Sequence, residues 1–293
     1  RKNSLSASFG PSEIKYYLKK INKNTIVVHR LNECDERKNT KNINKELLSA
    51  NKIADYTVYI SKWLKKTLIK SGFSNKFNST ILNGADRSIF RFSKNTWKKG
   101  KIKIVTHHWS NHPNKGAAVY KKLDELLNNT YWKKKFSFTY IGNQPQGVKF
   151  KNTRLIKPMF GKNLAKQLGK HHLYLTGSLN EPGGNHQNEG AVVGLPILYL
   201  NSGCMNEYCN GYGVEYKNNN LEKKLNIIIR NYKRLRKNIK FYPYESKNTC
   251  DQYYKLFLRL DRKRKNIFLK RKKLDLTFKD YLNIGYKKFR SLK

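Results

Sequence analysis

Two carboxylates, Glu181 and Glu189, stand with seven residues between them in the stretch Glu181-Pro182-Gly183-Gly184-Asn185-His186-Gln187-Asn188-Glu189-Gly190. Apolar runs at 173–176 and 196–200 flank this stretch and read as short buried strands, so the polar segment between them must be a strand-to-helix turn and a short helix. Pro182, Gly183 and Gly184 break the first strand and leave backbone N–H groups unshielded where a helix opens near Asn185, a setting that favours an anion. One carboxylate precedes the helix and the other lies about a turn into it, so both can face one cleft. Acceptor-only groups beside an N–H cradle suit a ligand that is anionic in its middle and hydroxyl-rich at its ends. A nucleotide sugar has that shape.

Further stretches follow in a fixed order: Asn83-Gly84-Ala85-Asp86 with Phe90, then Lys115-Gly116, then Asn201-Ser202-Gly203 with Glu207-Tyr208. Together with the glutamate pair and Gly194-Leu195-Pro196 behind it, this set resembles the donor-site signature of retaining glycosyltransferases of family 4, a resemblance that covers roughly residues 25–260. The resemblance implies an α/β, GT-B-like fold, in which two Rossmann-like domains with parallel sheets face a central cleft. It implies transfer of a sugar from a nucleotide sugar to a glycan, lipid or other acceptor, with retention at the anomeric carbon. Glu181 and the amides of Gly183, Gly184 and Asn185 would hold donor sugar and phosphate, and Glu189 the ribose hydroxyls. Asn83-Gly84 would cross between domains beside the donor, and His29, after a strand of the first domain, would lie near the reacting carbon. The family's first strand and Gly-rich turn have no counterpart in residues 1–24, so the chain is expected to be an N-terminally truncated member with an incomplete first domain. Many members also carry an arginine shortly before the lysine, where this chain has Ser110 and Asn111, so the expected phosphate site is either one cation short or supplied by a residue that the sequence does not identify.

The elements that must position these groups can be read in turn. Residues 25–29 are a compact β-branched run ending at His29, which puts the polar residues after it at the carboxyl end of a parallel strand, the usual place for ligands. A helix over 44–55, a strand at 56–60 and a helix over 62–71, capped by Ser61 and stopped at Gly72, complete a βα unit. A strand at 79–82 leads into Asn83-Gly84, the turn expected at the interdomain linker. The second domain opens with a strand at 101–106, a polar loop at 107–114 and a helix at 116–127. Lys115, just before Gly116, supplies a point charge where a diphosphate would meet the helix start. His107, His108 and His112 do not read as a metal site, because adjacent histidines point apart and no carboxylate or cysteine joins them. A strand at 136–141 follows, then a short Arg-Leu-Ile-Lys strand within 153–159, and the family resemblance makes Lys157 and its neighbours candidates for the nucleotide base. A helix at 161–170 comes next, and Gly203, after the 196–200 strand, leaves room for a ligand to approach the backbone. The helix over 221–239 has a basic outer face, and Tyr253, Leu256, Phe257 and Leu260 lie on one side of another helix that returns to the first domain. The expected divisions are a partial first domain at 1–98, a donor-binding domain at 99–240 and C-terminal helices with a basic tail at 241–293. From 261 on, with Phe268, Phe278 and Tyr281 among the basic residues, the tail reads as a solvated helical extension, with membrane or acceptor docking as the sharper alternative.

The chain has 62 Lys and Arg against 19 Asp and Glu, a formal charge of +43. Such a surface attracts polyanions. The lysines are spread over the whole length and come with many asparagines, which reads first as compositional bias and second as a surface for an anionic membrane. No helix-turn-helix or RNA-recognition signature is visible, so no specific nucleic-acid partner is expected. Cys34, Cys204, Cys209 and Cys250 lack metal-ligand spacing and suit a reducing compartment. Without a signal peptide, or an apolar stretch near the ~20 residues that span a bilayer, the expected location is the cytoplasm or the inner face of a membrane. The expected partners are a nucleotide sugar and a glycan or lipid-linked glycan acceptor, with no obligatory metal or other cofactor. A nucleotide-sugar epimerase on the same fold, which needs no second substrate, and a non-enzymatic polyanion- or nucleic-acid-binding protein are the rival readings.

Overall fold

In the computed structural model, which describes residues 9–74, 76–217, 219–271 and 274–291, the short apolar runs become parallel strands. Residues 1–8 of the expected first domain, residues 75 and 218, and residues 272, 273, 292 and 293 of the expected tail lie outside it. Three strands, β1 (Val28–Leu31), β2 (Tyr56–Tyr59) and β3 (Asn78–Thr80), form a first sheet in that order. The second sheet contains β4 (Ile102–His108), β5 (Phe136–Gly142), β6 (Arg154–Ile156), β7 (Leu173–Thr176), β8 (Ile197–Leu200) and β9 (Gly213–Tyr216), in the spatial order β6-β5-β4-β7-β8-β9. Every strand pairing among the described residues is parallel. Strands β2 and β7 are buried at each position, so their sequences run apolar without alternation. The second sheet grows from β4 through β5 to β6, then resumes on the other side of β4 with β7. This reversal opens a crevice at the carboxyl ends of β4 and β7, where a ligand is expected in an open parallel sheet.

Local signals account for many of the helices. Ser61 Oγ accepts from the Leu64 N–H at 3.0 Å and starts the helix Lys62–Lys70, whose Leu64 and Leu68 enter the core beside Leu31 and Tyr59. The helix Leu221–Asn238 buries Leu221, Leu225, Ile228, Tyr232 and Leu235 at helical spacing against the second sheet.

The chain crosses between the sheets twice, and the two crossings run side by side. Ala85 N donates to Tyr244 O at 3.2 Å, and Ser246 N donates to Ala85 O at 2.9 Å. A Cβ on Gly84 would fall 2.2 Å from the Glu245 carbonyl carbon, so only glycine allows this approach. The helix Ser246–Arg262 then lays Leu256 and Leu260 on Tyr56, Val58 and Ile81 of the first sheet, whereas Phe257, expected on the same side, is half exposed. The tail departs from a purely solvated extension. Its last helix, Phe278–Ser291, meets the helix Pro11–Tyr16 through Ser12 Oγ donating to Asp280 at 2.8 Å and Lys15 Nζ pairing with the same carboxylate at 3.1 Å. Arg271 pairs with Asp55 at 2.6 Å, which ties the tail to the start of β2.

Candidate functional site

Strand β7 ends at Thr176, and the chain turns through 177–185 before the helix His186–Val192. Glu181, 4% exposed, sits inside that turn. Its Oε2 accepts from Lys115 Nζ at 2.9 Å and lies 3.6 Å from Arg37 Nε. Burial pushes the Glu181 carboxyl up, but Lys115 and then Arg37 outweigh it and hold the group below the ordinary carboxylate range. Lys115 closes the 3-10 turn Pro113–Lys115, and Gly116 follows at φ +104° to open the helix Ala117–Leu126. A Cβ at Gly116 would meet the Tyr120 ring at 2.6 Å, so the left-handed turn directly after Lys115 needs glycine. Arg37 arrives from the first domain on the four-residue helix Asp35–Lys38. That helix docks through its backbone: Asn114 Nδ2 donates to Arg37 O at 3.2 Å and Asn180 Nδ2 to Glu36 O at 3.1 Å. Gly203, expected to face a ligand, faces Glu181 instead; a Cβ there would lie 2.3 Å from the Glu181 nitrogen.

Glu189 lies on the same crevice with different neighbours. His107 Nε2 donates to its Oε2 at 2.7 Å, and Tyr174 OH lies 3.0 Å from His107 Nδ1. Glu189 and His107 line a cavity of about 500 Å³, together with Lys115, Asn185, Trp109 and Phe160. That volume falls in the range of small-molecule sites. Trp109 and Phe160, both largely exposed, hold their ring centroids 4.9 Å apart at this cavity. His108 and His186 lie deeper, with ring centroids 4.7 Å apart. Burial, reinforced by nearby positive groups including Lys115, pushes both far below the usual imidazole value, so they are uncharged at neutral pH. His108 Nε2 bonds Tyr120 OH at 2.6 Å, while His186 Nε2 bonds Thr176 Oγ1 at 3.0 Å. His112 Nδ1 accepts from Asn114 N at 3.1 Å, so the loop histidines serve separate partners.

The remaining expected residues divide between the crevice and the domain seam. Asn83 Nδ2 donates to Gly183 O at 2.6 Å, its Oδ1 accepts from Arg30 at 2.7 Å, and its N–H meets Tyr208 OH at 2.9 Å, which makes it a clasp between domains. Gly183 packs where a Cβ would strike Ile60 at 2.5 Å, and at Gly184 a Cβ would strike the His186 ring at 2.7 Å. His29 is not joined to this cluster. Strand β1 begins only at Val28, so His29 lies within it rather than at its end, and its Nδ1 lies 3.1 Å from Asn51 Nδ2. Asn51 also bonds Thr57 at 2.9 Å, near the start of β2 and away from the strands' carboxyl ends. A larger cavity, about 1240 Å³, lies at that opposite edge of the first sheet and includes neither glutamate of the pair. Sequence reasoning did not single out Trp109, Phe160 or Arg37. The first two carry a readable signal, exposed aromatics in loops that follow strands. Arg37 has none, since it reaches Glu181 from 144 residues away.

No family model matches the chain, and no curated protein matches it in sequence. Solved structures do. TarM aligns with TM-score 0.64 and 15% identity, covering 85% of this chain and 53% of that one, so the chain spans about half the length of TarM. Anabaena HepE in complex with UDP-glucose aligns with TM-score 0.67 and 13% identity, covering 85% and 77%. Sucrose-phosphate synthase from Thermosynechococcus elongatus aligns with TM-score 0.67 and 12% identity, covering 86% and 71%. At such identities the likeness speaks for architecture alone, and the architecture is α/β and GT-B, with parallel Rossmann-like sheets in two domains.

Proposed function

We propose that the chain is a glycosyltransferase that moves a sugar from a nucleotide sugar to a glycan, lipid-linked glycan or other acceptor, with retention at the anomeric carbon. The observation that carries this reading is the division of two carboxylates along one crevice. Glu181 lies beside two cations, and Glu189 lies on a cavity whose walls include Trp109 and Phe160. In this reading the base stacks near Trp109 and Phe160, Glu189 accepts from the ribose, Lys115 meets the diphosphate, and the sugar lies toward Glu181 and the first domain. HepE, a fold neighbour, was solved with UDP-glucose, which supports a donor of this class.

Negative charge grows on the diphosphate as the sugar departs, so fixed positive charge in a buried site lowers the barrier more than a strong base would. Lys115 supplies that charge, and the reading needs no metal. Among the described residues no helix is long and apolar enough to cross a membrane. The basic surface suits work beside an anionic membrane, and we place the protein on the cytoplasmic side.

The test is release of nucleoside diphosphate from UDP-, GDP- and ADP-sugars, with and without candidate acceptors, with product configuration read by NMR. Acceptor-dependent release and an unchanged anomeric configuration support the reading. Conversion of the donor sugar without acceptor would favour an epimerase, and failure to bind any nucleotide sugar would sink both.

A further inference from the structure

We propose that Arg37, contributed by the first domain, is the second cation of the anion site, donating its guanidinium to a phosphate oxygen of the bound ligand; this rests on the nucleotide-sugar reading above. Three observations converge on it. The Arg37 side chain is 3% exposed, yet its Nη1 is buried without a hydrogen-bond partner. A buried guanidinium N–H left unpaired costs stability, and such orphans persist where a ligand completes them. Its helix is also docked through backbone groups, since Asn114 and Asn180 donate to the carbonyls of Arg37 and Glu36 and leave the guanidinium edge unused. Finally, Arg37 Nε and Lys115 Nζ lie 3.6 and 2.9 Å from the same oxygen, Glu181 Oε2, and Lys115 lines the cavity, so the two cations meet on one carboxylate where an anion would arrive.

Charge balance points the same way. Lys115 and Glu181 cancel, and the two buried histidines beside them are uncharged, so at this end of the crevice Arg37 is the cation left over for a dianionic diphosphate. A planar guanidinium with a free edge matches phosphate geometry in two parallel bonds, which an ammonium cannot do. Because the two cations come from different domains, the diphosphate would be gripped only when the first domain is seated on the second.

The experiment measures binding of UDP, uridine and inorganic pyrophosphate to the full chain, and the thermal shift each produces, for the wild type and for Arg37→Met, Arg37→Lys and Lys115→Ala. Lys121→Gln, an exposed helix position, serves as the charge control. Arg37→Met should weaken UDP and pyrophosphate by roughly tenfold to a hundredfold, as for a hydrogen bond to a charged group, and leave uridine within about twofold. Arg37→Lys should fall between. The midpoint of ligand-free Arg37→Met should be equal to or above that of the wild type, since an incompletely paired buried cation is replaced by an apolar side chain of similar length. A purely structural arginine would instead lower that midpoint and leave the ratio of UDP to uridine affinity unchanged. UDP binding by the wild type that neither Arg37 variant weakens overturns the proposal and leaves the nucleotide-sugar reading standing. Arg37-dependent pyrophosphate binding with no UDP binding, and none on repeating the titration with GDP and ADP, keeps the anion site and removes the nucleotide. Wild-type protein that binds neither overturns both.

Discussion

Glu181 and Glu189 have the same chemistry, and their surroundings give them different work. Glu181 is pinned in a buried turn by two cations, so Glu181→Gln leaves Lys115 and Arg37 facing a neutral amide and should cost about 3 kcal/mol in urea unfolding. Glu189 faces a cavity and a single histidine, and Glu189→Gln should change stability by less than about 1 kcal/mol. Binding should show the opposite ranking. If Glu189 accepts from the ribose as proposed, Glu189→Gln removes that carboxylate acceptor, and nucleoside and nucleotide-sugar affinities should fall together by roughly 1–2 kcal/mol. Glu181→Gln should spare nucleoside binding and lower turnover instead, because a contact to the reacting sugar matters most at the transition state. Calorimetric titration of both variants checks this, and loss of nucleoside affinity in Glu181→Gln alone would reverse the assignment. The buried histidines make a separate prediction. Burial pushes His171 and His172 down to about 4, and it pushes His108 and His186 far below their usual value. An unfolded histidine takes up its proton near pH ~6.5, before these folded ones do, so the stability is complete above that pH and is lost as pH falls toward 4. The lowered carboxyl of Glu181 adds a further loss at still lower pH, with the same sign. The urea midpoint should stay level from pH 8 to 7 and drop steeply below 6.5; a midpoint that holds down to pH 4.5 would contradict the neutral-histidine account.

At the scale of elements, runs of residues were legible and pairings between distant segments were not. The helix at 161–170 and the strand at 173–176 were readable because spacing and composition both pointed one way, and the structure has them at Gly161–Leu168 and Leu173–Thr176. The β-branched run at 25–29 misled by register. Val27 already bonds Asp55, through its N–H to Oδ2 at 2.8 Å and its carbonyl to the Asp55 N–H at 2.9 Å, but regular pairing starts one residue later and carries on to Leu31. His29 therefore belongs to the middle of a strand. Helices as short as Asp35–Lys38 have too few residues for periodicity to show, and β9 was passed over because Gly213-Val214-Glu215-Tyr216 offers little apolar weight. Gly203 is an element-scale device whose role only packing reveals. Its φ is +65° and its missing Cβ makes room for the Glu181 backbone, so Gly203→Ala must both strain the turn and displace the carboxylate. We expect a loss of about 2–3 kcal/mol in stability together with weaker UDP binding. Gly211 is the comparison: its φ is +84° with nothing within 4 Å of the Cβ position, so Gly211→Ala should cost only the backbone penalty of about 1 kcal/mol and leave UDP binding intact. Equal effects from the two substitutions would mean that contact with Glu181 is not what Gly203 provides.

The whole molecule sets two kinds of electrostatics side by side, and salt separates them. The seam between the domains is narrow and specific: Glu207 accepts from the Lys62 and Trp63 N–H groups at 2.8 and 2.6 Å across it, and Tyr208 OH donates to Ile60 O at 3.0 Å. The proposed anion site lies on this seam, among the few buried charges of Glu181, Lys115 and Arg37. The rest of the +43 is spread thinly and lies mostly in solvent, including the seven lysines and arginines around the 1240 Å³ cavity beside the returning helices, where Asp55 is the single carboxylate among the lining residues. Exposed charges more than a Debye length apart are screened independently, whereas a buried pair feels little added salt. Adhesion of the protein to phosphatidylserine vesicles or to single-stranded oligonucleotides should therefore collapse between about 50 and 200 mM salt, with no preference for base sequence. Over the same range the affinity for UDP should change by less than about threefold, because the groups proposed to grip it, Arg37 and Lys115, are already buried against Glu181. Both titrations can be run on one preparation, with vesicle sedimentation beside calorimetry. Salt-resistant binding to one particular oligonucleotide would show that the basic surface is a specific nucleic-acid interface, and UDP affinity that falls in parallel with vesicle binding would place the nucleotide on the open surface instead of in the crevice.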